Sequence, residues 1–180
     1  MNRHKAGYKK IPLKEKLEIM STINIKDMAL KYLAYRDHTV YEMSKHLKEK
    51  EFEQSEIDKV LSDLLELKYL DDYNYCRKYM PYSAGKGKGK EKIKLELLQK
   101  GIDKQTIEEA MTDEEAEGEI LGISEFERAL FQGEKAICNQ EITEKLLAKV
   151  GRRLSTLGYS TDIVYKVMGM LMKRSRGNND

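Results

Sequence analysis

The chain has 180 residues, with 33 Lys or Arg against 31 Asp or Glu and a formal net charge of +2. Charged residues make up 36%, where about 25% is usual. No apolar stretch reaches the roughly 20 residues that cross a bilayer, the first thirty residues lack an apolar signal core, and Cys76 and Cys138 form no CxxC pair. The expectation is a cytoplasmic chain, away from membranes, with both thiols reduced and structural. Abundant Leu, Lys, Glu and Met favour helix, and no Val/Ile/Thr run suggests strands. An all-α fold is predicted, and so charged a sequence suits an elongated body in which many residues face water.

The first segment, residues 1–24, reads as a basic extension, since Met1 to Lys26 carries seven basic and two acidic residues. An amphipathic helix follows over Ile25 to Leu33. Thr39 with Glu42 three residues on has the form of a capping box that opens the next helix. From there a pattern begins that recurs twice. Its first copy is Met43, Leu47, Phe52, Ile57, Val60, Leu61; its second is Ile93, Leu97, Ile102, Ile107, Ala110, Met111; its third is Val150, Leu154, Tyr159, Val164, Val167, Met168. The spacings are 4, 5, 5, 3 and 1 in every copy.

An i, i+4 pair is one stripe of a helix, and i, i+3, i+4 is the start of another. The two steps of five between them require a turn. Copies two and three carry glycine there, Gly101 and Gly158, the usual left-handed helix stop. Copy one has Glu51 there, a mild violation that costs little if the turn is looser. Asp103 and Ser160 are good N-caps for the following helix, and Glu53 a poorer one. Each copy is thus helix, turn, helix, preceded by a further helix in which Leu30, Met80 and Ile137 align. Leu64 and Leu171 end the first and third copies on an apolar residue, but the second has Glu114, so its last helix is expected to end near Thr112. A unit this small cannot bury its stripe alone, so neighbours stack. The expected architecture is three tandem three-helix units in an elongated array that can curve. They span residues 25–70, 71–112 and 113–176.

Charge is segregated along the chain. Asp27 to Tyr73 nets −5, Asn74 to Gln105 nets +6, Thr106 to Glu127 has nine acids and no base, and Arg128 to Asp180 nets +5. Alternating blocks create local fields that the total conceals. The purest basic run is Gly85-Lys86-Gly87-Lys88-Gly89-Lys90, continued by Lys92 and Lys94. It has neither the GxxxxGK[ST] nor the GxGxxG spacing of a phosphate cradle. It reads as a flexible cationic comb for phosphate or acidic protein, with a plain linker as the alternative. Asp71-Asp72 suits a helix start better than a metal. Tyr73, Tyr75, Tyr79 and Tyr82, around Arg77 and Lys78, pack the stripe between units or stack on bases. His4, His38 and His46 form no cluster, and no nucleophile has a base beside it. Neither an enzyme nor a metal or cofactor site is predicted. The partner-binding candidates are Lys86, Lys88, Lys90, Lys92 and Lys94, with Arg77, Lys78, Lys100, Arg152 and Arg153 chosen for sign and expected exposure.

Three stretches carry a family resemblance. Leu67-Lys68-Tyr69-Leu70-Asp71-Asp72-Tyr73-Asn74-Tyr75-Cys76-Arg77-Lys78-Tyr79 resembles the segment that joins the first two helical units of RecX-type regulatory proteins. Lys90 to Ile102 is similar to that family's basic stretch ending in Lys-Gly-Ile, and Ala29 to Ala34 with Tyr41 to Leu47 resembles its opening unit. The third unit departs, with Leu157-Gly158-Tyr159 where an Arg-Gly-Phe-like turn is more usual. The resemblance implies tandem three-helix units that bind the RecA recombinase filament in its groove. It also implies suppression of strand exchange, ATP turnover and co-protease activity, by a monomer, with single- or double-stranded DNA as a further contact. A free-standing nucleic-acid-binding protein, or a scaffold for another acidic partner, is the alternative.

Overall fold

The computed structural model describes Pro12 and residues 24–116, 123–138 and 140–177. His4 and nearly all of the basic extension lie outside the described residues, as do Glu117 and Glu119 of the acidic run. Among the described residues the regular structure is entirely helical: α1 (24–33), α2 (Val40–Glu49), α3 (Gln54–Glu66), α4 (Asp72–Gly85), α5 (Lys90–Gln99), α6 (Lys104–Ala116), α7 (Glu125–Ile137), α8 (Glu144–Thr156) and α9 (Thr161–Gly177). The chain divides into two compact units, Met1–Leu70 and Asp71–Asp180.

The first unit holds α1 to α3. Ile25 and Ala29 of α1, Met43 and Leu47 of α2, and Ile57, Val60 and Leu64 of α3 close one core with Leu70. The second unit holds two such triplets, each with its own core, which corrects the expectation that one triplet cannot bury its stripe alone. In one, α4 packs on α5 and α6 around Cys76, Met80, Ile93, Leu97, Ile102 and Ile107. In the other, α7, α8 and α9 pack pairwise around Ala129, Leu147, Val150, Leu154, Val164 and Val167. Fully burying each Leu, Ile or Val contributes about 1.5–3 kcal/mol, and the repeat supplies those side chains at fixed places.

The two steps of five in that repeat have separate causes. In copy two, α5 ends with Gly101 N–H on the Leu98 carbonyl at 2.9 Å and Ile102 N–H on the Leu97 carbonyl at 3.3 Å. This is the Schellman closure, which brings the residue two past the cap onto the residue five before it. Ile102 then immediately precedes the N-cap Asp103, whose carboxylate accepts from Thr106 N–H at 2.9 Å. A residue in that place packs on the fourth residue of the new helix, Ile107, as a hydrophobic staple. One apolar side chain therefore closes one helix and opens the next, and both steps must be five. Copy three repeats this with Leu154, Tyr159 and Val164: Tyr159 N–H reaches the Leu154 carbonyl at 3.2 Å, and Ser160 Oγ accepts from Ile163 N–H at 3.4 Å.

Other expected caps are present as well. Thr39 and Glu42 form the capping box of α2, and Asp71 caps α4 by accepting from Asn74 N–H at 2.9 Å. Four further expectations are corrected. The first turn is not looser: Glu51 adopts the same left-handed conformation, φ 63°, as Gly101 at 80° and Gly158 at 83°, because the Schellman bonds demand it whatever residue stands there. Leu30 is exposed although Met80 and Ile137 are buried, since Ala29 takes the inward position on α1. Helix α6 continues past Thr112 to Ala116; the Tyr73 hydroxyl donates to the Asp113 carboxylate at 2.5 Å, so a polar tie serves where the other copies bury Leu64 and Leu171. Cys76 is buried in its core, where burial pushes the thiol up to about 12, but Cys138 is exposed.

A left-handed non-glycine residue costs about 1–2 kcal/mol. Glu51→Gly is expected to raise stability by about 0.5–1 kcal/mol, the relieved strain less the added freedom of the unfolded chain. Gly101→Ala is expected to lower it by about 1–2 kcal/mol. Urea unfolding midpoints decide this, and a lowered midpoint for Glu51→Gly would mean that the three turns are not equivalent.

Candidate partner-binding surface

The Gly-Lys segment is short and firmly held. Helix α4 closes with Gly87 N–H on the Ala84 carbonyl at 2.8 Å, and α5 has already begun at Lys90. Between them the backbone lies against the turn that ends α8. Gly89 N–H donates to the Leu157 carbonyl at 2.8 Å and Glu91 N–H to the Gly158 carbonyl at 3.2 Å. The buried Tyr159 hydroxyl donates to the Gly87 carbonyl at 3.0 Å, and the Glu125 carboxylate accepts from Lys90 N–H at 2.8 Å. A Cβ on Gly89 would lie 2.4 Å from the Gly158 carbonyl oxygen, and one on Gly158 would lie 2.4 Å from Lys92 N. The expectation of a flexible comb is therefore corrected. Glycine is needed because two backbones touch, and the segment joins the second and third triplets.

Its lysines do not form one row. Lys90, Lys92 and Lys94 stand two residues apart on a helix, so each is turned about 200° from the last. Lys94 pairs with Glu108. The Lys86 ammonium lies 4.0 Å over the ring of exposed Tyr82 and bonds its hydroxyl, which holds that phenol below its usual pKa. Lys88 reaches inward to both oxygens of Glu96, at 2.5 and 2.7 Å.

Glu96 is the centre of this polar group. Its carboxylate also accepts from the Tyr79 hydroxyl at 2.9 Å and from Ser83 Oγ at 3.2 Å. Partial burial pushes the Glu96 pKa up, but the bonds from Lys88, Tyr79 and Ser83 outweigh it and hold the group below the usual carboxylate value. Burial and the neighbouring carboxylate raise the Tyr79 phenol. The Lys100 ammonium lies 5.4 Å from the Tyr75 ring and 5.5 Å from the Tyr79 ring, which stack at 5.9 Å. Tyr73, Tyr75 and Tyr79 pack on the core of their own triplet, and only Tyr82 of the four is exposed. Arg77 is half-buried and Lys78 exposed; Arg152 and Arg153 are exposed on α8. Sequence reasoning missed Glu96 and Ser83. Their signal was the spacing from Lys88 within and after the Gly-Lys segment, which has meaning only once that segment is closed into a turn.

Beside the join, Ile123, Phe131, Arg128 and Gln132 line a pocket of about 270 Å³ with Ala84 and Gly87. In the first unit the Tyr32 ring lies between His38 and His46, at 3.6 and 3.9 Å. The two histidines thus share a partner that their separation in sequence did not reveal. Burial first, and Arg36 second, lower the His38 pKa, against the Glu42 carboxylate 3.2 Å from Nδ1. Among the described residues no group of His, Cys, Asp or Glu is placed to hold a metal ion, and no helix is long and apolar enough to cross a membrane.

Two of the triplets match known domains. The model for the first three-helix domain of RecX matches residues 26–64, and that for the second matches residues 71–111. The regulatory protein RecX of Vibrio parahaemolyticus is 34% identical over 141 residues, covering 78% of this chain and 87% of the relative. The chain belongs to the RecX family. The regulatory protein RecX of Halalkalibacterium halodurans is 32% identical over 82% of this chain, which spans only 53% of that relative. The crystal structure of RecX from Lactobacillus salivarius shares the fold, with a TM-score of 0.72 and 24% identity over 85% of this chain and 97% of that one.

Two tests address the join and the Glu96 group. Gly89→Ala is expected to cost about 1–3 kcal/mol, as overpacking does, and to remove hydrogen-exchange protection at the amides of residues 89 and 91. Gly85→Ala, on the exposed end of α4, is expected to cost no stability, since Ala suits a helix better than Gly, and to leave that protection in place. Tyr159→Phe should cost about 0.5–1.5 kcal/mol for one buried hydrogen bond. Separately, a lowered Glu96 pKa contributes stability that is present above the ordinary carboxylate value of 4.5 and is lost as pH falls through the folded value. The stability gap between the wild type and Glu96→Gln should therefore narrow below that pH in urea titrations; a constant gap would remove the electrostatic account.

Proposed function

We propose that this chain is a non-enzymatic regulator that binds RecA–DNA filaments in the filament groove and inhibits the recombinase, ATPase and co-protease activities. It acts in the cytoplasm as a monomer in DNA repair, homologous recombination and the SOS response. The observation that carries the reading is family membership. Relatives named regulatory protein RecX cover most of this chain, and two of its triplets match RecX domain models. The joined second and third triplets supply a firm carrier for surface charge. Of the candidate contacts, Lys78, Lys86, Arg152 and Arg153 are exposed and fit a docking role. Lys88 and Lys94 are engaged with Glu96 and Glu108, so they serve the fold as well as any partner. Arg77, Lys90, Lys92 and Lys100 are half-buried, and their contribution is that of their outer atoms. Exposed ion pairs contribute about 0.2–1 kcal/mol each, so docking by these groups is distributed and weakens with salt.

The test is RecA ATPase and strand exchange with added protein at two salt concentrations. Both rates should fall at saturating protein, less so at the higher salt. Unchanged rates at saturation would overturn the function. Lys78 and Lys86 changed together to Glu should weaken the inhibition without changing the unfolding temperature.

A further inference from the structure

We propose that His38 is an acid-sensitive catch at the entrance to α2: the neutral ring closes the first unit over Tyr32, and its protonation releases that entrance. His38 stands just before the N-cap Thr39, the place from which an apolar side chain usually folds back as a staple. At the other helix starts that place holds Phe52, Leu70, Ile102, Ile123, Ile142 and Tyr159. At α5 it holds Lys88, whose ammonium is taken by Glu96. Of α2 to α9, only α2 has a residue there that changes its charge near neutral pH.

The ring is built in as an apolar plug. His38 is only 4% exposed and stacks on Tyr32 at 3.6 Å, which itself packs on the core of the first unit. Nδ1 lies 3.2 Å from the Glu42 carboxylate, so the neutral ring carries its proton there. Nε2 is left buried with no hydrogen-bond partner. A second proton would place a donor and a full charge at that atom, and a buried group of this kind is costly when unmet. Burial first, and Arg36 second, oppose the proton; the Glu42 carboxylate and the Tyr32 carbonyl favour it but are outweighed. Glu42 is already committed to Arg36 at 2.9 Å and to the Thr39 N–H at 3.5 Å. His46 lies on the far face of Tyr32 at 3.9 Å, in a cleft that it shares with Lys45 and Glu49. Protonation expels the His38 ring to water, uncovers Tyr32 and loosens the first turn of α2. The second unit has no such device, since His4, His38 and His46 are the only histidines of the chain and all precede Asp71.

The inference goes beyond the regulator reading and does not depend on it. A lowered imidazole value means that the opened chain takes up the proton before the closed one. The stability that the catch contributes is therefore full above the ordinary value of 6.5 and is lost as pH falls from there through the folded value. The test is amide hydrogen exchange of the full chain, read as protection factors between pH 7.5 and 5.5, a range above ordinary carboxylate titration. One proton changes an opening equilibrium by at most about tenfold per pH unit. Protection at the amides of residues 41–47 should fall by up to about tenfold over the range, while that of residues 147–154 in α8 serves as the internal reference and stays level. His38→Phe, which puts at α2 the residue that already precedes α3, should abolish the fall. If that variant does not fold, His38→Gln should abolish it. His46→Gln should keep it. A wild-type fall of less than about twofold would overturn the proposal. So would a fall that survives either substitution at His38, or one lost in His46→Gln instead. A His38 ring resonance that titrates at or above 6.5 in the folded chain would overturn it as well.

Discussion

The second unit depends on a backbone-to-backbone contact. Gly87 to Glu91, leaving α4 and entering α5, lie against Leu157 to Tyr159 at the end of α8. A Cβ at Gly89 or Gly158 would stand where the other backbone runs, so those two positions are available only to glycine. The join is also where the two triplets satisfy each other's orphan groups. The N–H groups at the start of α5 have no partner within their helix, and two of them find the carbonyls left over at the end of α8. A helix start and a helix end complement each other here without any side chain between them, and the Tyr159 hydroxyl adds a bond that phenylalanine could not make.

The same join reorganises the charge. Lys88, drawn in beside the closed turn, meets Glu96, and that carboxylate in turn orders Tyr79 and Ser83. Lys94 is matched by Glu108 of α6. The basic run and the acidic run that follow each other in the chain thus partly neutralise one another inside a single triplet. Charge on α8 has no such counterpart among the described residues. The local field of this unit is set by which cations are left over after packing, and that differs from which cations are densest in sequence.

Much of the fold is legible in the residues. The spacing of 4, 5, 5, 3 and 1 encodes a helix stripe, a Schellman contact, a hydrophobic staple and a second stripe, all local in origin. Thr39 with Glu42, Asp71 and Asp103 announce their caps for the same reason. Glu51 reads as a weak point because propensity disfavours it, yet closure of the turn imposes its conformation. Leu30 aligns with buried residues but faces out, because only packing decides which of two adjacent apolar residues of α1 turns inward. Helix α6 is longer than its apolar stripe, because the tie from Tyr73 to Asp113 joins residues forty apart.

From residues alone come the helical class, the threefold repeat, the caps and the family likeness, since each rests on neighbours within about one turn of helix. Tertiary structure alone decides what the glycines at 87, 89 and 158 are for, which lysines are paired, and which helix face keeps its charge. The join depends on distances between segments some seventy residues apart, and the lysine pairs on a closed turn and on helix packing that bring together residues 8 and 14 apart; no local spacing specifies either.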